Sequence, residues 1–205
     1  MSPVDPSPSW SLPPLGSLVL WVLLGFAAGA IPFGVIVARR MGIDIQARGS
    51  GNIGATNVAR VLGVGPGVIV LVLDTAKGAL PTVLALHGDA GLEIALSTGA
   101  AAILGHCFSP FLKFRGGKGV ATAFGVFLVL TPALAAIAVA VFALVLAVSR
   151  IPALGSLAGV TAIAVILVWQ HEPELAALAI GTTLLLFYTH RTNLARLTRR
   201  GRSGR

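Results

Sequence analysis

Three clusters of polar residues interrupt an apolar chain, and each is of a type suited to hold an anion. The first is Gly49-Ser50-Gly51-Asn52-Ile53-Gly54-Ala55-Thr56-Asn57, with Arg60 close behind. Glycines let backbone amides approach an oxyanion, Ser, Thr and Asn add side-chain donors, and a helix starting after them adds its positive end. The second is Phe114-Arg115-Gly116-Gly117-Lys118-Gly119, where two cations flank a glycine pair at the start of an apolar stretch. It suits a phosphate but is not a Walker A loop, since the glycine spacing differs and no Ser or Thr follows the lysine. The third is His190-Arg191-Thr192-Asn193-Leu194-Ala195-Arg196. On a helix His190 and Asn193 share a face, as do Asn193 and Arg196.

Each cluster also has a plainer reading. The first can also be read as a flexible connector, the second as an interfacial Lys/Arg anchor, and the third as a basic membrane-stop sequence. Their common character carries more weight than any one of them. None supplies a carboxylate pair, and no His/Cys group has zinc spacing. No histidine has an aspartate five places on, the pattern of soluble-type acyltransferases, and Asp44, Asp74 and Asp89 are too far apart for a CDP-alcohol phosphotransferase. Asp74 and Lys77 lie three apart inside an apolar stretch and are placed to pair on one helix face. His106 falls at the inner end of a span, as a packing residue, and His87 and His171 fall on the outer side with no role assigned.

The elements that must position these clusters are membrane helices. Hydrophobic residues make up 56% of the 205-residue chain and charged residues only 11%, against about a quarter in soluble domains. Mean hydropathy is +0.91. In a soluble protein the net charge of +8 would suggest nucleic acid. Here the cations sit in short runs between apolar stretches, so no nucleic-acid partner is expected. The single Cys107 excludes an internal disulfide. Apolar stretches at 17–38, 63–86, 91–107, 119–149, 152–169 and 175–190 are each of a length suited to a span. Residues 1–16 lack the basic start of a secretory signal and are expected to form a short tail.

The 119–149 stretch is long enough for two short helices turning at Pro132, and charge parity favours that division. An odd count leaves Arg39, Arg40, Arg48, Arg60, Lys113, Arg115, Lys118, Arg150, Arg191, Arg196, Arg199, Arg200, Arg202 and Arg205 inside. The outer turns then hold Asp89, Glu93, Glu172 and Glu174 and no Lys or Arg. The expected fold is therefore all-α, a polytopic membrane protein of about seven transmembrane helices. A single domain over 17–197 lies between the tail 1–16, outside, and a basic cytoplasmic tail at 198–205.

The motifs occur in an order that resembles a known family. Gly49 to Asn57, Asp74-Thr75-Ala76-Lys77-Gly78, Gly105-His106 through Arg115-Gly116-Gly117-Lys118-Gly119-Val120-Ala121-Thr122, and His190-Arg191-Thr192-Asn193 together resemble the bacterial acyl-phosphate-dependent glycerol-3-phosphate acyltransferases, the PlsY family. The resemblance runs from the first span to the tail. It implies an inner-membrane enzyme that moves an acyl chain from acyl phosphate to the 1-hydroxyl of sn-glycerol 3-phosphate, giving lysophosphatidic acid and phosphate, the first step of phospholipid synthesis.

By motif position, the resemblance implies that Lys118, His190, Ser50 and Arg60 act on the reacting groups. It implies that Asn52, Thr56, Asn57, Arg115, Gly116, Gly117, Ser156 and Asn193 bind substrate; Ser156 enters by this route alone, since the residue itself reads as a packing serine. Ala30 stands where members often carry Ser, Asp44-Ile45-Gln46 where they often carry Asp-Ile-Arg, and Thr189 where they often carry Arg. These departures leave the polar ring intact and bear on substrate affinity.

An acyl phosphate is already activated. The enzyme's tasks are to bring two anionic substrates together and to stabilise charge on the carbonyl and the leaving phosphate. Arg60, Lys118 and His190 supply cations, with Ser50, Thr56, Ser156 and Asn193 as neutral donors, and no metal or organic cofactor is implied. The general base is either His190 or a phosphate oxygen of the donor, which the resemblance favours. A small-anion transporter is the competing class, but midplane broken helices and repeats are not evident in the sequence.

Overall fold

A computed structural model describes the backbone of residues 14–88 and 91–203, with side chains in those ranges as far as Ala195. The described residues form helices and turns with no strand: α1 Leu15–Ala30, α2 Phe33–Arg40, α3 Ala55–Leu62, α4 Val64–His87, α5 Gly91–Cys107, α6 Val120–Leu130, α7 Pro132–Ser149, α8 Pro152–Trp169 and α9 Pro173–Ser203. Helices are the expected solution here, because each satisfies its own backbone polar groups without water.

Most helix bounds follow from Gly and Pro. Pro132 and Pro152 sit at the first turns of α7 and α8, where a missing amide costs nothing. The apolar stretch 119–149 is indeed two helices, broken at Thr131. The first apolar stretch is a correction: it is expected as one helix, but α1 stops at Ala30 and α2 starts at Phe33, because Pro32 cannot continue the hydrogen-bond ladder. The terminal bounds also shift. Leu15 and Gly16 belong to α1 rather than to a tail, and α9 carries helix through 198–203. Residues 1–13, Asp89, Arg205 and the side chains of Arg196, Arg199, Arg200 and Arg202 lie outside the described residues.

Small residues set the helix directions. A Cβ on Gly25 would strike the carbonyl of Thr98, and one on Gly29 that of Ala102, so α1 and α5 run parallel at close range. Gly155 and Gly159 of α8 face Phe142 and Ala138 of α7 in descending order, so this pair is antiparallel. Gly78 meets Thr122, and Gly99 meets both Thr82 and Val126, which makes α4 and α6 parallel. At the far end Thr131, Leu134, Leu167 and Leu175 border one apolar hollow, gathering the α6–α7 and α8–α9 turns.

Five stretches are long and apolar enough to cross a bilayer: Leu15–Arg40, Val64–His87, Gly91–Leu112, Pro132–Ser149 and Pro152–Trp169. The 11-residue α6 is only about 16 Å long. Just before it, Gly116 to Gly119 fold against the end of α5, while Lys113, Phe114 and Arg115 are exposed. Exposed Leu15, Val64, Val148 and Trp169 give the bundle an apolar exterior. Glu93, Glu172 and Glu174 fall at one end, while the three polar clusters converge at the other.

Candidate active site

The Arg48–Gly54 segment is shaped by one side chain. Asn57, on α3, is 3% exposed. Its Oδ1 accepts from the amide of Ser50 at 2.8 Å, while its Nδ2 donates to Arg48 O at 3.1 Å and Asn52 O at 2.8 Å. Gly49, at φ +60°, leaves room for this clamp, since a Cβ there would collide with Asn57 Oδ1. Asn52 in turn accepts from the amide of Gly54 through Oδ1 at 2.9 Å, so its amide NH₂ is the group left to donate to a ligand. The result is a turn that presents Ser50, Gly51 and Asn52.

Lys118 comes from the loop folded under α6. Gly116 N–H donates to Cys107 O and Gly117 N–H to His106 O, each at 3.0 Å, which satisfies two carbonyls at the end of α5. There is no room for side chains on either glycine: a Cβ on Gly116 would meet His106 O, and one on Gly117 would meet His106 Nε2. The left-handed Gly119, φ +86°, then turns the chain into α6.

The third wall is α9. Thr189 Oγ1 lies 3.1 Å from Lys118 O and 3.1 Å from Leu186 O. Ser50, Gly51 and Asn52 on one side, Lys118 beneath, and Thr189, Thr192 and Asn193 on the other enclose a polar cleft of about 160 Å³. His190 is buried behind this wall. Its Nδ1 lies 2.8 Å from Leu186 O; a carbonyl can only accept, so Nδ1 carries the proton and Nε2 the lone pair in neutral His190.

The structure thus brings together Ser50, Asn52, Lys118 and Asn193 of the expected set. It separates others. Thr56 and Arg60 lie on the exposed face of α3 and do not line the cleft. Exposed Arg115 also lies outside its walls. The Ser156 hydroxyl donates to Pro152 O at 3.0 Å, one turn back on α8. Asn57 uses its amide to organise the loop, and Gly116 and Gly117 direct their backbone N–H groups to α5; none of the three lines the cleft. Thr189 and Thr192 were not expected in the cleft. A threonine near the end of an apolar helix carries no distinctive signal, although Thr189 stands out as a departure from the family motif.

Comparison with known proteins agrees with this architecture. The family model for glycerol-3-phosphate acyltransferase matches residues 19–200. A glycerol-3-phosphate acyltransferase from Myxococcus xanthus is 50% identical over 183 residues, covering 87% of this chain and 95% of the relative. One from Thermus thermophilus is 45% identical, covering 86% and 89%. The crystal structure of PlsY (YgiH), an integral membrane glycerol 3-phosphate acyltransferase, in its glycerol 3-phosphate form superposes with a TM-score of 0.86 at 35% identity, covering 90% of this chain and 93% of that one. Its lysophosphatidic acid form gives 0.84. The helical bundle, the order of its motifs and these matches over nearly its whole length place the chain in the glycerol-3-phosphate acyltransferase family, as an all-helical membrane protein of the PlsY type.

Proposed function

We propose that this protein is a glycerol-3-phosphate acyltransferase that takes its acyl group from acyl phosphate and releases lysophosphatidic acid and inorganic phosphate. The observation that carries the reading is the cleft itself: a lysine and a ring of neutral donors at the end of a membrane bundle, with no carboxylate among the residues lining it. Such a site attracts phosphates and has little means to activate a poor acyl donor.

In the proposed reaction the 1-hydroxyl oxygen of glycerol 3-phosphate attacks the acyl carbonyl carbon. The new ester C–O bond forms as the carbonyl-to-phosphate C–O bond breaks. The hydroxyl proton passes to an oxygen of the donor phosphate, which leaves as inorganic phosphate. His190 sits behind the wall rather than in the cleft, which supports the donor's own phosphate as proton acceptor. Lys118 neutralises charge that grows during transfer, and Ser50, Asn52 and Asn193 orient phosphate and hydroxyl groups. Arg60 and Arg115, exposed and outside the lining, contribute a positive field rather than direct contacts. The acyl tail lies in lipid against the apolar exterior, and no metal or organic cofactor takes part.

The bundle is placed in the inner membrane as seven spans, with the amino terminus outside and the cleft and carboxyl terminus facing the cytoplasm, so that the cations fall on the inner side. Purified protein in lipid is expected to release phosphate from acyl phosphate only when glycerol 3-phosphate is present, and to leave acyl-CoA largely unused. Comparable rates with acyl-CoA would overturn the donor assignment.

A further inference from the structure

Beneath the cleft, three ionisable side chains are buried together. Asp74 and Lys77 of α4 pair at 2.8 Å, and both are almost fully enclosed. His106 of α5 places Nδ1 3.8 Å from Asp74 Oδ1, too long for a direct hydrogen bond, and that nitrogen has no hydrogen-bond partner. None of the three lines the cleft. Burying such groups is costly unless they are paired, so their position calls for an explanation.

Their contacts lead to both walls of the cleft. Lys77 Nζ donates to Ile31 O at 2.8 Å, a carbonyl exposed by the break between α1 and α2. The same break is held from the other side by Ser109 Oγ, which donates to Ala30 O at 2.6 Å. It aims α2 so that Gly34 lies directly against Ile53 O, in the turn that presents Ser50 and Asn52. In the opposite direction, the far edge of the His106 ring, Nε2, packs against Gly117, the residue before Lys118, whose amide is bonded to His106 O.

We propose that Asp74, Lys77 and His106 form a positioning device that sets Lys118 against the Ser50–Asn52 turn. The three are positioning residues, each acting through backbone that it supports. The device rests on the acyl-transfer reading above, because its output is the placement of Lys118 for that reaction. A small displacement of a fixed charge costs on the order of 10²-fold in rate.

A double-mutant cycle on the full chain in lipid tests this. His106→Asn keeps a polar atom near Nδ1 and removes the part of the ring supporting Gly117. The paired variant Asp74→Asn/Lys77→Met removes both buried charges together. Each is combined with Lys118→Ala, and glycerol-3-phosphate-dependent phosphate release and thermal midpoint are measured for all. Each positioning variant alone is expected to lower kcat by about tenfold or more with a smaller change in KM. In the Lys118→Ala background the same changes should lower kcat less than about twofold, while shifting the midpoint as much as before. Equal fold-losses in both backgrounds, wild-type kcat in the single variants, or loss of folding in all of them would assign the cluster to stability alone. Failure of the functional reading looks different: the wild-type protein would show no glycerol-3-phosphate-dependent release, or Lys118→Ala would leave the rate intact.

Discussion

The hydroxyl of Thr189 sits 3.1 Å from the carbonyl oxygen of Lys118, joining the last helix to the loop that carries the cleft's lysine. The two residues are 71 positions apart in sequence.

Removing that hydroxyl without changing volume is the direct test. Thr189→Val leaves Lys118 O without this donor, at a net cost of about 1 kcal/mol. If the bond sets the position of Lys118, kcat/KM should fall by about fivefold. Thr189→Ser should retain most of the rate. Wild-type kinetics in Thr189→Val would leave the contact incidental.

Asn57 gives a prediction of a different kind. All the hydrogen bonds of its side chain run to the backbone of residues 48–52. Asn57→Ala should therefore lose about 1–3 kcal/mol of stability, together with activity. Asn57→Asp should be worse, since it turns a carboxylate oxygen toward two carbonyls. Melting in detergent separates the cases. Lost activity at an unchanged midpoint would make Asn57 a ligand contact instead.

Legibility in the sequence followed a physical divide. The starts of α5 and α8 are readable because Gly91 and Pro152 mark them, and the end of α8 because Gln170 and His171 follow it. The turn at Thr131–Pro132 is readable because charge parity favours two helices over one in that stretch. The break at Ile31–Pro32 is not, because both flanks are apolar and proline is tolerated in many membrane helices. In the site, Ser50, Asn52, Lys118 and Asn193 are visible as polar residues in apolar surroundings. What Asn57, Gly116 and Gly117 do is not, because a sequence shows donors but not which acceptors they serve. His106 reads as a packing residue for the same reason: its link to Gly117 exists only after α5 and the loop fold together.

The side of the membrane occupied by each terminus is checked by labelling. Single cysteines placed at positions 2 and 203 in a Cys107→Ala background should react with an impermeant reagent from opposite faces. Cys107 is buried, so its replacement should leave the surface unchanged. Reaction of both ends from one face would require an even number of spans.

Lys118 separates electrostatic stabilisation from anchoring. It lines the cleft, half-buried, between Gly117 and Gly119, where no neighbouring side chain walls it off from a phosphate. Lys113, five residues earlier, is exposed, sits in a left-handed turn at φ 52° and is not part of the lining. Both are cations on the same loop at the same end of the bundle. If their common task were to hold the loop at the headgroups, substitution at either site should have similar, small effects. If Lys118 neutralises charge that develops as the acyl group moves, Lys118→Gln should lower kcat/KM on the order of 10²-fold while the thermal midpoint stays near wild type. Lys113→Arg should leave kcat/KM within about twofold, because surface charges far from a reacting centre are screened by water and salt. Lys118→Gln retaining half of the wild-type kcat/KM, an effect of about 0.4 kcal/mol, would place both lysines in the anchoring class.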